Sequence, residues 1–230
     1  MSDPRDPRTL LDAATEQLLA TVDGLPEAAL AEPSGLPDWS RGHVVAHLVL
    51  NGEALAAALA GVAAGMDVPM YASQDARDGD IDDLATHPPA ELRTRLHTAV
   101  RGFAGALALV PPDAWGTTIR RTPAGDKTFT AGDTISMRLT ETEIHHADLA
   151  AGYSCADWSP EFSAHLVARR VRQHAPVRLV ATDTGEEWMA GDGGPVVSGS
   201  VADLGWWLTG RGGVDRLTAE GGPLPTIGNW

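Results

Sequence analysis

Cysteine is almost absent from this sequence. A single residue, Cys155, serves a chain of 230, which excludes an internal disulfide and a cysteine-based zinc finger. Any metal would have to be bound by histidine and carboxylate. No uninterrupted apolar run reaches the roughly 18 residues that a membrane span needs. Positive charge is scarce as well: the formal net charge is -14, and so acidic a surface repels phosphate backbones, which argues against a nucleic-acid partner. The opening residues, MSDPRDPRTLLDA, lack the apolar h-region of a secretory signal, so the expected location is the cytoplasm, with no membrane partner. Internal repeats and low-complexity segments are also missing.

What is present is an ordinary globular composition, 43% hydrophobic, in a length that suits one large domain or two smaller ones. Residues 8–22 carry Leu11, Ala14, Leu18 and Val22 at helical spacing. A segment punctuated by Gly24, Pro26, Pro33, Gly35 and Pro37 leads to Ser40, a candidate N-cap. The helix that follows, RGHVVAHLVLNGEALAAALAG, is apolar on nearly every side and is expected to lie between other helices. Residues 64–87 show no convincing period and are expected to form a long loop, with the acidic run Asp75 to Asp83 solvated. From Pro88 a third helix steps through Leu92, Leu96, Val100, Phe103, Leu107 and Val110 until Pro111 and Pro112 stop it. A fourth begins after an irregular stretch, near Thr134. Four helices with long second and third connections imply a four-helix bundle.

Beyond Gly152 the composition changes. A helix over 160–173, short β-prone runs at 177–184, 187–190, 195–198 and 216–219, and a helix in VADLGWWLTGR read as a small α/β domain. The expected organisation is a helical bundle over 1–155 and the α/β domain over 156–230.

The stretch Thr134–Ala150 carries the chemistry. Wound as a helix, it sets Arg138, Glu141, His145 and Asp148 in one stripe with spacings of 3, 4 and 3. Met137 and Ile144 border the stripe on one side, and Ile135, Leu139 and Leu149 on the other, so four ionisable groups face the interior. Burying them is costly unless they pair or coordinate a metal. Glu141 and His145, four apart, reach one point from the same face. On the apolar second helix His43, His47 and Asn51 share a side, and His47 lies one turn deeper than His43. Two histidines and a carboxylate with an open fourth position form the ligand set of catalytic zinc, although ferrous iron or nickel also suits it. Glu-x-x-x-His alone is a weak signal. Its weight comes from the buried stripe combined with a histidine on a greasy helix. Arg138 and Asp148 are expected to orient the ligands, and His146, about 100° round, to be a structural hydrogen-bonding group.

The segments WSRGHVVAHL (39–48) and Arg138-x-x-Glu141-x-x-x-His145-His146-x-Asp148-Leu149 resemble the two signatures of the mycothiol-dependent maleylpyruvate isomerase family, within the wider DinB-like metal-binding superfamily. Residues 177–211 resemble that family's sterol-carrier-like C-terminal domain. The resemblance implies a metal triad of His47, Glu141 and His145, and a catalytic arginine at Arg211 near the substrate carboxylates. It implies mycothiol as thiol cosubstrate: the thiolate adds to maleylpyruvate, the new single bond rotates, and the thiol leaves. The same residues would serve a mycothiol S-transferase acting on another electrophile. A non-catalytic metal- or thiol-binding protein and an iron oxygenase-like site stay open; a closed four-ligand site including His43 would mark the binder. Cys155, beside Asp157 and with no positive neighbour, has no reactive role.

Overall fold

The computed structural model describes residues 6–173 and 176–228. Residues 1–5, at the start of the segment read for a signal, lie outside the described residues. The chain separates into two compact units, one spanning Asp6–Gly152 and the other running from Tyr153 onward.

The first unit is helical. Helix α1 (Pro7–Gly24) buries Leu11, Ala14, Leu18 and Val22, the stripe expected from its spacing. Helix α2 (Arg41–Ala63) starts at Ser40, whose hydroxyl accepts from the His43 backbone while Nδ1 of His43 accepts from the Ser40 backbone. It is buried around most of its circumference, as its all-round apolarity requires. By length and hydropathy α2 would pass as a membrane span, but 67% of its most apolar window is buried inside the unit. Core helices share that pattern.

The region 64–87 departs from the expected loop. It contains helix α3 (Gln74–Ala85), whose N-cap Ser73 accepts from the Ala76 backbone. Only Ile81 and Leu84 of this helix are buried. Two apolar residues three apart suffice to seat it on α2, and Asp and Gly around them mask the period. Helix α4 (Pro89–Leu109) buries Leu92, Leu96, Ala99, Phe103 and Ala106, with Val100 and Leu107 half-buried at the edge of the stripe.

Next comes a hairpin of three-residue strands, β1 (Thr118–Arg120) and β2 (Thr128–Thr130), paired antiparallel with Ile119 opposite Phe129. Strands this short carry no readable alternation, so the sequence shows this stretch only as irregular. Helix α5 (Asp133–Asp148) closes the unit and packs on α1 and α2. Its C-terminal end is held by Arg41, whose Nε donates to Leu149 O at 2.8 Å and Nη2 to Ala150 O at 2.9 Å. The first turn of α2 thus caps the last turn of α5. The two sequence segments singled out above are joined by that contact.

The second unit opens with helix α6 (Pro160–Arg170), then β3 (Val177–Ala181), β4 (Glu187–Ala190), β5 (Val196–Gly199), helix α7 (Val201–Trp207) and β6 (Thr218–Glu220). The sheet order is β4-β3-β5-β6, with β3 and β5 parallel and the outer pairings antiparallel. Val167, Val171, Val177, Leu179, Val197, Leu204 and Trp207 form its core, between one sheet face and α6 and α7. A helical region followed by a small α/β domain is the architecture the sequence implied.

Candidate metal centre

Helix α5 is buried on more than one side. Arg138 is 2% exposed, His145 5% and Asp148 2%, and Thr140, Thr142, Glu143 and His146 are buried too. The polar stripe is therefore interior, and each member has a partner.

Arg138 donates through Nη1 to Leu48 O and to Asn51 Oδ1, both at 2.8 Å. Burial pushes its guanidinium down to about 10, against the pull of Glu141. Its approach to α2 depends on Gly52, where a Cβ would lie 3.3 Å from the guanidinium carbon. Arg138 therefore ties α5 to α2. Asn51, on the same side of α2 as His47, receives it.

One turn further along α5, Oε2 of Glu141 stands 2.8 Å from Nε2 of His47 and 3.2 Å from Nε2 of His145. The histidine rings are edge to face with centroids 4.5 Å apart. His145 Nδ1 meets Asp148 Oδ2 at 2.8 Å, which fixes the ring and turns Nε2 toward Glu141. His47, Glu141 and His145 can each offer one ligand atom, all within 4.8 Å of one another.

The electrostatics favour ligation. Burial, reinforced by the charge of His145, lowers His47 to about 4, so its imidazole is neutral and keeps a lone pair. Burial alone would raise Glu141, but His47 and His145 hold it well below the usual carboxylate range. Burial would lower His145, yet its bonds to Asp148 and Glu141 raise it. A neutral imidazole and an ionised carboxylate are the forms a metal requires, and both stand here with a second imidazole oriented by an acid. The Glu141 side chain keeps 18% exposure against 3% and 7% for the two histidines, so the cluster is open on the carboxylate side.

The remaining candidates fall elsewhere. His43 is committed to the cap, its Nδ1 2.7 Å from Ser40 Oγ. His146 points to α1 and bonds Thr21 Oγ1 at 2.8 Å. Arg211 belongs to the second unit, half-buried just past α7, with Nη1 donating to Thr209 O. Cys155 is buried in that unit too, and burial raises its thiol.

Sequence reasoning missed two neighbours of His47, Trp39 and Arg77, and the tyrosine that packs against Arg77. Trp39 lies with its ring 5.8 Å from the imidazole. Arg77, from the acidic run read as solvated, donates from Nη2 to His47 Nδ1 at 3.0 Å. Tyr71, from the supposed loop, lies beneath Arg77 and Arg121, with the guanidinium carbons 5.9 and 5.3 Å from its ring centre. The available signal was Ser73 as an N-cap, with Ile81 and Leu84 placing Arg77 on the α2-facing side of a short helix.

Residues 11–150 match the family model described as the mycothiol maleylpyruvate isomerase N-terminal domain. That span is more than half of the chain. The chain belongs to the mycothiol maleylpyruvate isomerase family. Two solved structures share its whole architecture at a TM-score of 0.87: a mycothiol-dependent maleylpyruvate isomerase at 28% identity, and its histidine-to-alanine mutant at 27%. Each comparison covers 98% of this chain and 96% of the other. No curated protein matches the sequence. Membership places the chain among enzymes of the isomerase class.

Proposed function

We propose that this enzyme catalyses the mycothiol-dependent cis-trans isomerisation of maleylpyruvate at a divalent metal, zinc in the first instance, held by His47, Glu141 and His145. The observation that carries this reading is the convergence of three ligand atoms, two of them on buried histidines and one on a half-buried glutamate, all within 4.8 Å of one another. Family membership and the fold shared with a solved isomerase support the substrate.

A divalent ion bound here would supply Lewis acidity to a thiol in its open position. Isomerisation about an activated double bond needs a nucleophile that adds, permits rotation and leaves. Cys155, the chain's one cysteine, belongs to the other unit, and mycothiol is the nucleophile in this reading. Asp148 keeps His145 in one tautomer and orientation. Arg138 fixes the spacing between α5 and α2 on which the 2.8 Å contact of His47 with Glu141 depends. We read the unit from Tyr153 onward as the sterol-carrier-like module of the family, with Arg211 as a partner for a substrate carboxylate.

The test is turnover by metal-replete protein of maleylpyruvate, and separately of a generic electrophile, each with mycothiol. Formation of fumarylpyruvate with mycothiol recovered unchanged is the expected result. Consumption of mycothiol into a stable adduct would replace isomerisation with S-transfer.

A further inference from the structure

We propose that Arg77 is a substrate-binding residue of this site, presenting the Nε/Nη2 edge of its guanidinium to a carboxylate of the substrate beside His47. The inference rests on the dicarboxylate substrate read above, but its decisive observation is geometric.

Arg77 sits on α3 with its side chain 16% exposed. Nη1 donates to Asp78 Oδ1 at 2.6 Å, which anchors one end of the planar group. Nη2 donates to His47 Nδ1 at 3.0 Å, and Nε is buried with no hydrogen-bond partner. A buried donor left unmatched is costly and rare in native proteins. Nε and Nη2 together form the parallel two-donor edge that matches a carboxylate. The guanidinium is also held by Tyr71: its central carbon lies 5.9 Å from the centre of the Tyr71 ring, the Tyr71 hydroxyl interacts with it, and Tyr71 is held in turn by its backbone N–H donating to Arg121 O at 2.9 Å.

The bond from Nη2 to His47 is compatible with only one form of that ring. A guanidinium only donates, so Nδ1 must accept, and the ring proton then sits on Nε2 toward Glu141. When Nε2 serves as a ligand, the neutral ring carries its proton on Nδ1, which no longer accepts. Loading the cluster therefore releases Nη2 next to the already unmatched Nε. Both donors of the edge become available a few ångströms from the reacting centre, while Asp78 keeps the guanidinium in place.

The test uses full-length metal-loaded protein, with succinate as the probe because it has two carboxylates and no double bond for a thiol to attack. Isothermal titration compares wild type with Arg77→Gln and Arg77→Lys, and metal content is measured on each. Removing a charged two-bond contact is expected to weaken succinate binding by about tenfold to a hundredfold in Arg77→Gln. Arg77→Lys, which restores the charge without the fork, should recover part of that loss. Metal stoichiometry should be one per chain in all three. Equal succinate affinity in wild type and Arg77→Gln, or no succinate binding by wild type, would overturn the proposal, and so would loss of metal from Arg77→Lys. Arg77-dependent succinate binding without turnover of maleylpyruvate would instead overturn the isomerase reading and leave this one standing.

Discussion

The carboxylate of Asp148 lies 2.8 Å from Nδ1 of His145, three residues earlier on the same helix. That contact leaves Nε2 as the nitrogen facing Glu141, and it is made by a residue that contributes no atom to the three-ligand cluster. Asp148→Asn should therefore keep the helical fold and lower metal affinity by about 10- to 100-fold. Competition against a chelator of known affinity measures this directly. An unchanged affinity would mean that the imidazole needs no orienting acid.

Arg138 has a different role on the same face of α5. Its bonds to Leu48 O and Asn51 Oδ1 join two helices, so Arg138→Met leaves the buried Asn51 amide oxygen without its donor and removes a second, charged bond to a helix carbonyl. Destabilisation of about 2–3 kcal/mol is expected, read as a lower urea midpoint, with one metal still bound per folded chain. Gly52→Ala should give a smaller loss of the same kind, because its Cβ would press on the guanidinium at 3.3 Å.

Metal binding should depend on pH through one histidine. His47 lies at about 4 and is already neutral near neutrality, whereas His145 is raised above its ordinary value of 6.5. As pH falls through the His145 pKa, its proton competes with the metal, so affinity should drop about tenfold per pH unit below that point and level off above it. Calorimetry in buffers of different ionisation heat should detect the released proton near neutral pH. No proton release at pH 6.5 would assign His145 the wrong state.

Ala150, immediately past α5, has φ of 50°, in the left-handed region. A side chain there costs roughly 1 kcal/mol or more, and glycine does not bear that cost. Ala150→Gly should raise the melting temperature of the helical unit by roughly 2–4 °C. A decrease would show that Ala150 makes packing contacts that outweigh its backbone strain.

Much of the site could be read before the structure because a helix prints its faces at fixed intervals. Arg138, Glu141, His145 and Asp148 fall on one side by arithmetic alone, and apolar neighbours mark that side as buried. His47 followed from being polar on a helix otherwise apolar all round. Arg77 and Tyr71 were not legible for the opposite reason: Arg77 meets His47 across thirty residues, and no local period announces such a contact. Helix α3 also seats itself with only Ile81 and Leu84, so its acidic remainder resembled a solvated loop. The β1–β2 hairpin escaped because strands of three residues cannot show alternation. The resemblance to an isomerase family named Arg211, whose position past α7 is visible but whose role rests on that resemblance.

The central claim is that His47, Glu141 and His145 hold one catalytic divalent ion. Elemental analysis of purified wild type, His47→Ala and Glu141→Ala, each with a circular dichroism spectrum to verify its helical content, tests it most directly. The account predicts one metal per chain in wild type and none in either variant, with helicity intact in all three. Stoichiometric metal retained by both variants would contradict it.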